Sequence, residues 1–288
     1  MKLRPSLFPA KLFFFCFVFS FPAQAEDASR QERVQNRPTA EQSQAREALN
    51  KGVEDFKSGQ YDDAIANFSR AKELDPTLIN ARLYLGTAYA SMYIPGAPSE
   101  ENIRNGERAI EEYKGVLSLD PLNLSAIDGI GSILFQMAGQ PYDPTKFEES
   151  KSYHIRHIRL QPEDPEPYYW VGVIDWTLAY KANLEIRLKY SEENPDGPGS
   201  DSDPLPAEAR AAYAERYGSL IDEGIDHMKR AMERRRDYDD AMAYLNLLYR
   251  RKADTVDSLT ERERLLTLAD DLIDKLKEIK KKKMDSPE

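Results

Sequence analysis

Residues 52–76 read GVEDFKSGQYDDAIANFSRAKELDP. The stretch predicts two short helices joined by a tight turn at Gly59-Gln60. Gly52, Phe56, Tyr61, Ala64, Phe68, Ala71 and Pro76 recur at helical spacing, small where two helices must touch and large between them. A pair of this kind leaves an apolar face uncovered. It needs neighbours stacked on it, so its presence predicts further copies along the chain.

Those copies can be followed. The second carries Leu85-Gly86, Tyr89, Ala109, Tyr113 and Pro121, and the third Ile130-Gly131, Leu134, Ser150, His154 and Pro162. A fourth keeps Val171-Gly172 and then Gly224 and Met228. A fifth begins at Asp239, with Leu245-Asn246 in the glycine slot, and closes with Ala269 and Ile273. From the end of one pair to the next glycine slot the distance is always 10 residues: 76 to 86, 121 to 131, 162 to 172, 236 to 246. Inside each pair it varies from 8 residues (Phe56 to Ala64) to 48 (Trp176 to Gly224). A fixed register between pairs keeps the stack intact, so growth is confined to the turns within pairs, along one elaborated edge. Four insertions lie there: 93–106, 139–146, 177–223 and 252–260. In the longest, residues 176–190 and 206–217 read as helix around a break at 191–203.

The pattern resembles the tetratricopeptide repeat family, whose unit of roughly 34 residues carries W-x2-L-G-x2-Y, then A-x3-F, then P. The signature positions here are Gly52, Ala64, Phe68, Pro76, Gly86, Tyr89, Ala109, Pro121, Gly131, Pro162 and Gly172. The resemblance implies an all-α, right-handed solenoid of about five helix pairs over residues 42–281, with a helical insertion in the fourth. Its repeats are 45–78, 79–123, 124–164, 165–238 and 239–281. Residues 282–288 form a tail, with the lysines at 280–283 placing positive charge at a helix C-terminus.

In this family the first helix of each pair lines a concave groove. By register, the implied groove residues are Leu49, Val53 and Phe56; Leu83, Tyr84 and Thr87; Asp128, Ser132 and Phe135. The fourth repeat adds Tyr169, Trp170, Val173 and Trp176, and the fifth Ala243, Tyr244 and Leu247. Aromatic anchors bury much area with few rotors, so Phe56, Tyr84, Phe135, Tyr169, Trp170, Trp176 and Tyr244 are the candidate partner-binding set. The bland reading makes several of them core. The family's clamp for acidic C-terminal peptides uses Lys, Asn and Arg, where this chain has Leu49, Val53, Ser125 and Gly129. That clamp is excluded.

At the N-terminus, Lys2, Arg4 and Lys11 precede an apolar run from Leu12 to Phe21 and the small-x-small Ala23-Gln24-Ala25. Residues 1–25 thus read as an export signal cleaved before Glu26, too short in its apolar run to span a bilayer comfortably. Cys16, the single cysteine, lies inside it, so the mature chain forms no internal disulfide. Residues 26–41 are polar and aperiodic, a disordered lead-in. Removing the signal leaves 37 basic against 50 acidic residues, a net charge of −13. Such a surface argues against nucleic acid or anionic membrane as the main partner.

Chemistry is poorly represented. His154 and His157 have metal-ligand spacing, but they fill slots that pack between helices, and His227 is the only other histidine. Asp196, Asp201 and Asp203 offer oxygen ligands without the spacing of a calcium loop. No phosphate loop, G-x-S-x-G or HExxH occurs, so no catalytic residue, metal or cofactor is expected. The function this supports is a non-catalytic scaffold of the cell envelope. It would be exported to the periplasm, without stable membrane insertion, and bind a protein or peptide through the groove and the elaborated edge. A glycan-binding subunit of an envelope enzyme and a self-associating spacer, hence a homo-oligomer, are the alternatives.

Overall fold

The computed structural model describes residues 38–193 and 203–285. Among these residues there are ten α-helices and no strand. They form five pairs: α1 (Ala40–Lys57) with α2 (Tyr61–Leu74), α3 (Ile79–Met92) with α4 (Glu100–Leu119), and α5 (Leu124–Gly139) with α6 (Pro144–Leu160). The fourth pair is α7 (Pro165–Glu193) with α8 (Ala207–Arg234), and the fifth α9 (Asp239–Ala253) with α10 (Leu259–Asp285). Each pair packs on the next, giving the all-α solenoid that the repeat pattern predicts.

The constant spacing between pairs has a backbone cause. Asp75, Asp120, Gln161 and Arg235 end the four inner second helices in one extended conformation, with φ of −140°, −133°, −134° and −133°. Each donates its N–H to the carbonyl four residues back, and each accepts from the N–H three residues on: Leu78, Asn123, Asp164 and Tyr238. The next helix starts one residue later each time. The prolines at 76, 121 and 162 follow the cap, where a residue that cannot continue a helix fits. Arg236 shows that the turn forms without one.

Within a pair, a small residue on the first helix receives a large one from the second. A Cβ on Gly86 would lie 2.9 Å from the Tyr113 ring and 3.3 Å from the Ala109 carbonyl oxygen. Gly52 faces Phe68, Gly131 faces His154 and Gly172 faces Met228 in the same way. His154 is therefore the third repeat's counterpart of Phe68. Beside it, the buried Ser150 hydroxyl donates to the Gly131 carbonyl at 2.7 Å.

Several expected boundaries move, for reasons of capping. Thr39 and Gln42 form a reciprocal capping box, so α1 takes in Ala40 and Glu41 instead of starting after a lead-in ending at 41. The signal segment and residues 26–37 lie outside the described residues. Ser99 accepts from the Asn102 N–H and starts α4 at Glu100, so only 93–99 of the 93–106 insertion is loop. Asn102 in turn ties that loop down, its side chain bonding Ile94 N–H and the carbonyls of Ile94 and Ala97 at 2.7–2.9 Å. Asp143 caps α6, with Pro144 in the first turn. The insertion in the fourth pair is mostly the lengthening of α7 and α8. Helix α10 runs through the lysines to Asp285, four residues beyond the expected end of the solenoid.

Candidate functional site

The seven aromatic candidates separate into two groups. Phe56 and Tyr84 belong to a cavity of about 460 Å³ between α1, α3 and α5, lined by Val53, Phe56, Lys57, Phe68, Leu83, Tyr84, Thr87 and Ser125. Tyr84 is 37% exposed. Its ring lies 5.8 Å from that of the buried Phe68, and Phe56 packs edge-on against Tyr61 at 5.3 Å. From α5, Ser125 lines it. Thr87 is held by its own hydroxyl, which donates to the Leu83 carbonyl at 2.9 Å. Lys57, exposed at the rim, supplies positive charge. The arrangement offers an apolar socket with a cation at its edge.

The other five candidates pack against one another. Phe135 meets Phe147 and Trp170 at 5.4 and 5.3 Å, and Trp170 meets Tyr169 at 5.3 Å. Tyr169 continues to Tyr244 at 5.7 Å, and Tyr244 to Trp176 at 5.3 Å. Trp176 also stacks on Tyr180 at 5.1 Å and 14°. All five are half-buried against the core of the fourth and fifth repeats. Phe135, Tyr169, Trp170, Trp176 and Tyr244 thus pack ring against ring across α5, α7 and α9, and each keeps part of its surface exposed. Burial, with Tyr244, Asp240 and Glu166 nearby, pushes the Tyr169 hydroxyl well above the ordinary tyrosine range.

The histidines pack as the repeat register implies. His154, 2% exposed, stacks on Trp170 at 6.0 Å and 15°, and burial next to His157 pushes its pKa down to about 4. His157 Nδ1 lies 2.7 Å from Asp128 Oδ1, and burial raises the Asp128 pKa against that contact. Asp196 and Asp201 lie outside the described residues; the Asp203 carbonyl accepts from Arg187 Nη2 at 3.0 Å.

One cluster escapes sequence reading. Asp175, Glu223 and His227 each place a ligand atom within 4.8 Å of the others. The cation there is Lys151, whose ammonium lies 2.6 Å from Asp175 and 2.8 Å from Glu223. Burial pushes the Asp175 carboxyl up to about 7, with Lys151 pulling the other way. Burial also opposes the Lys151 charge, yet Asp175 and Glu223 hold its pKa above the ordinary value. The set ties α6, α7 and α8 together as a buried ion network. Lys151 stands 24 residues from Asp175 and 72 from Glu223, and no local motif marks them.

With the geometry in hand, the comparisons with known proteins are informative. The family model described as "TPR repeat" matches residues 52–92. No curated protein matches the sequence. Among solved structures, the chain is similar to "Crystal structure of MamA protein" with a TM-score of 0.56 and 16% identity, over 85% of this chain and 96% of that one. It is similar also to "MamA 41-end from Desulfovibrio magneticus RS-1", TM-score 0.54 and 14% identity, over 83% and 96%. Among the described residues no helix is long and apolar enough to cross a membrane. Residues 52–92 thus match a tetratricopeptide repeat, and the chain as a whole shares the all-α fold of these solved structures.

Proposed function

We propose that the protein is a non-catalytic scaffold, exported to the periplasm, that holds an extended segment of a partner protein in the groove between α1, α3 and α5. The observation that carries this reading is the apolar cavity of Phe56, Leu83 and Tyr84 with Lys57 at its rim. An apolar side chain seated there would gain about 1.5–3 kcal/mol from full burial, and Lys57 would favour an acidic neighbour. The tetratricopeptide fold supports the reading, because stacked helix pairs create extended concave surfaces for binding. The basic start, apolar run and Ala23-Gln24-Ala25 support export.

A glycan platform is less favoured. Sugar stacking needs a free ring face, and Trp176 is occupied by Tyr180 and Tyr244.

A photo-crosslinking residue in place of Tyr84, in cells that export the protein, tests the reading. Adducts with a partner chain from position 84, and none from exposed Leu259 outside the cavity, are expected. Adducts from 259 alone would overturn it. The exported product should begin at Glu26 by intact mass, and a retained Met1 or a lipid on Cys16 would refute the export reading.

A further inference from the structure

A second cavity, of about 360 Å³, lies at the elaborated edge. It is lined by Tyr142, Pro144 and Glu148 before and within α6, Leu178, Ala182 and Glu185 of α7, and Arg216, Tyr217 and Leu220 of α8. Every α7 and α8 residue in it comes from the 177–223 insertion. The lengthening of that pair thus builds a cavity that the repeat alone would lack.

We propose that this cavity receives a lysine or arginine side chain of a partner protein. Leu178, Ala182 and Leu220 offer apolar surface for the aliphatic stem of such a side chain. Tyr142 and Tyr217 offer rings that attract cations, and each already has one near it: Lys181 Nζ lies 5.8 Å from the Tyr142 ring and Arg216 Cζ 5.4 Å from the Tyr217 ring. Glu148 and Glu185 supply the negative charge. Both are exposed, and among the described residues neither is joined to a cation in an ion pair. Burial raises the Tyr142 pKa, and Tyr217, Glu185 and Glu148 raise it further, so the field of both carboxylates reaches this hydroxyl.

The surroundings fit a protein partner. Ile94 and Ile103, 64% and 41% exposed, lie on the same edge. The loop that carries Ile94 adjoins the 140–143 turn, since a Cβ on Gly96 would come 2.8 Å from Gln140 Oε1. The chain's net charge of −10 favours a basic partner. Arg216 lines the cavity, in addition to Lys181 at the Tyr142 ring, and it makes the sign of the ligand testable. The proposal stands apart from the groove reading and can fail without it.

The test titrates the full chain with the amides of Nα-acetyl-lysine, -arginine, -norleucine and -glutamate, following the Leu178, Ala182 and Leu220 methyls by NMR. The lysine and arginine derivatives should bind about five-fold more tightly than norleucine, the same stem without charge. The double substitution Glu148→Gln and Glu185→Gln should remove that preference at unchanged melting, because both side chains are exposed. Arg216→Gln should tighten lysine binding by about two-fold. Equal binding of norleucine, preference for glutamate with loss in Arg216→Gln, or no response of these methyls to any probe would each overturn the proposal.

Discussion

The groove positions of the first three repeats and those of the last two share one register but end differently. In the first group, Phe56 and Tyr84 face a cavity that Ser125 of α5 also lines. In the second, Tyr169, Trp170 and Trp176 of α7 meet Phe135 on one side and Tyr244 on the other, ring against ring. A slot facing the groove fixes only the direction of a side chain. Whether that side chain binds a partner or joins the core depends on the bulk at the matching slot one repeat away. One half of the same surface thereby keeps a cavity while the other packs ring against ring.

Substitutions can break this comparison. Trp176→Ala should have the largest effect, a loss of about 3 kcal/mol in unfolding free energy, since it removes a large ring from a packed cluster. Denaturant titration measures it, and a loss below 1 kcal/mol would restore Trp176 as a groove residue. Gly86→Leu should cost about 1–3 kcal/mol through overpacking against Tyr113 and the Ala109 backbone. Gly172→Ala should cost less than Gly86→Leu because it adds a single methyl, which meets Met228 Cε at 2.6 Å and Cγ at 2.8 Å.

The third effect depends on pH. His154 has a pKa near 4 when folded, against about 6.5 in the unfolded chain. Between these values the unfolded state binds more protons, so this residue's contribution to stability falls as pH drops from 7 toward 4. At pH 5 the loss is about 2 kcal/mol. The difference between wild type and His154→Gln, followed from pH 7 to 5, isolates it from the carboxylates; parallel curves would refute it. The smallest stability effect should be that of Tyr84→Ala, below about 1 kcal/mol for a side chain already partly in water.

The register of the solenoid was legible in the sequence. The ten-residue spacing corresponds to four turns of matching backbone geometry at Asp75, Asp120, Gln161 and Arg235. The burial of His154 was legible for the same reason, since it stands where Phe68 stands. Exposure was not legible. Tyr84 and Tyr244 hold the same position in their repeats, and they differ only through neighbours from other helices. The Lys151–Asp175–Glu223 network and the edge cavity were hidden for a related reason. They join α6, α7 and α8 across an insertion whose packing no motif describes.

The central claim is that the open cavity of the first three repeats recognises a partner and the closed aromatic cluster of the last two does not. Peptides selected from a random library on the full-length protein test it most directly, with affinity and melting measured together on Tyr84→Ala and Trp176→Ala. Tyr84→Ala should melt close to wild type and lose about 2 kcal/mol of peptide affinity, as for a central anchor. Trp176→Ala should melt lower and, held below its own transition, keep the affinity of wild type. Full affinity in Tyr84→Ala, with lost affinity and unchanged melting in Trp176→Ala, would contradict the claim.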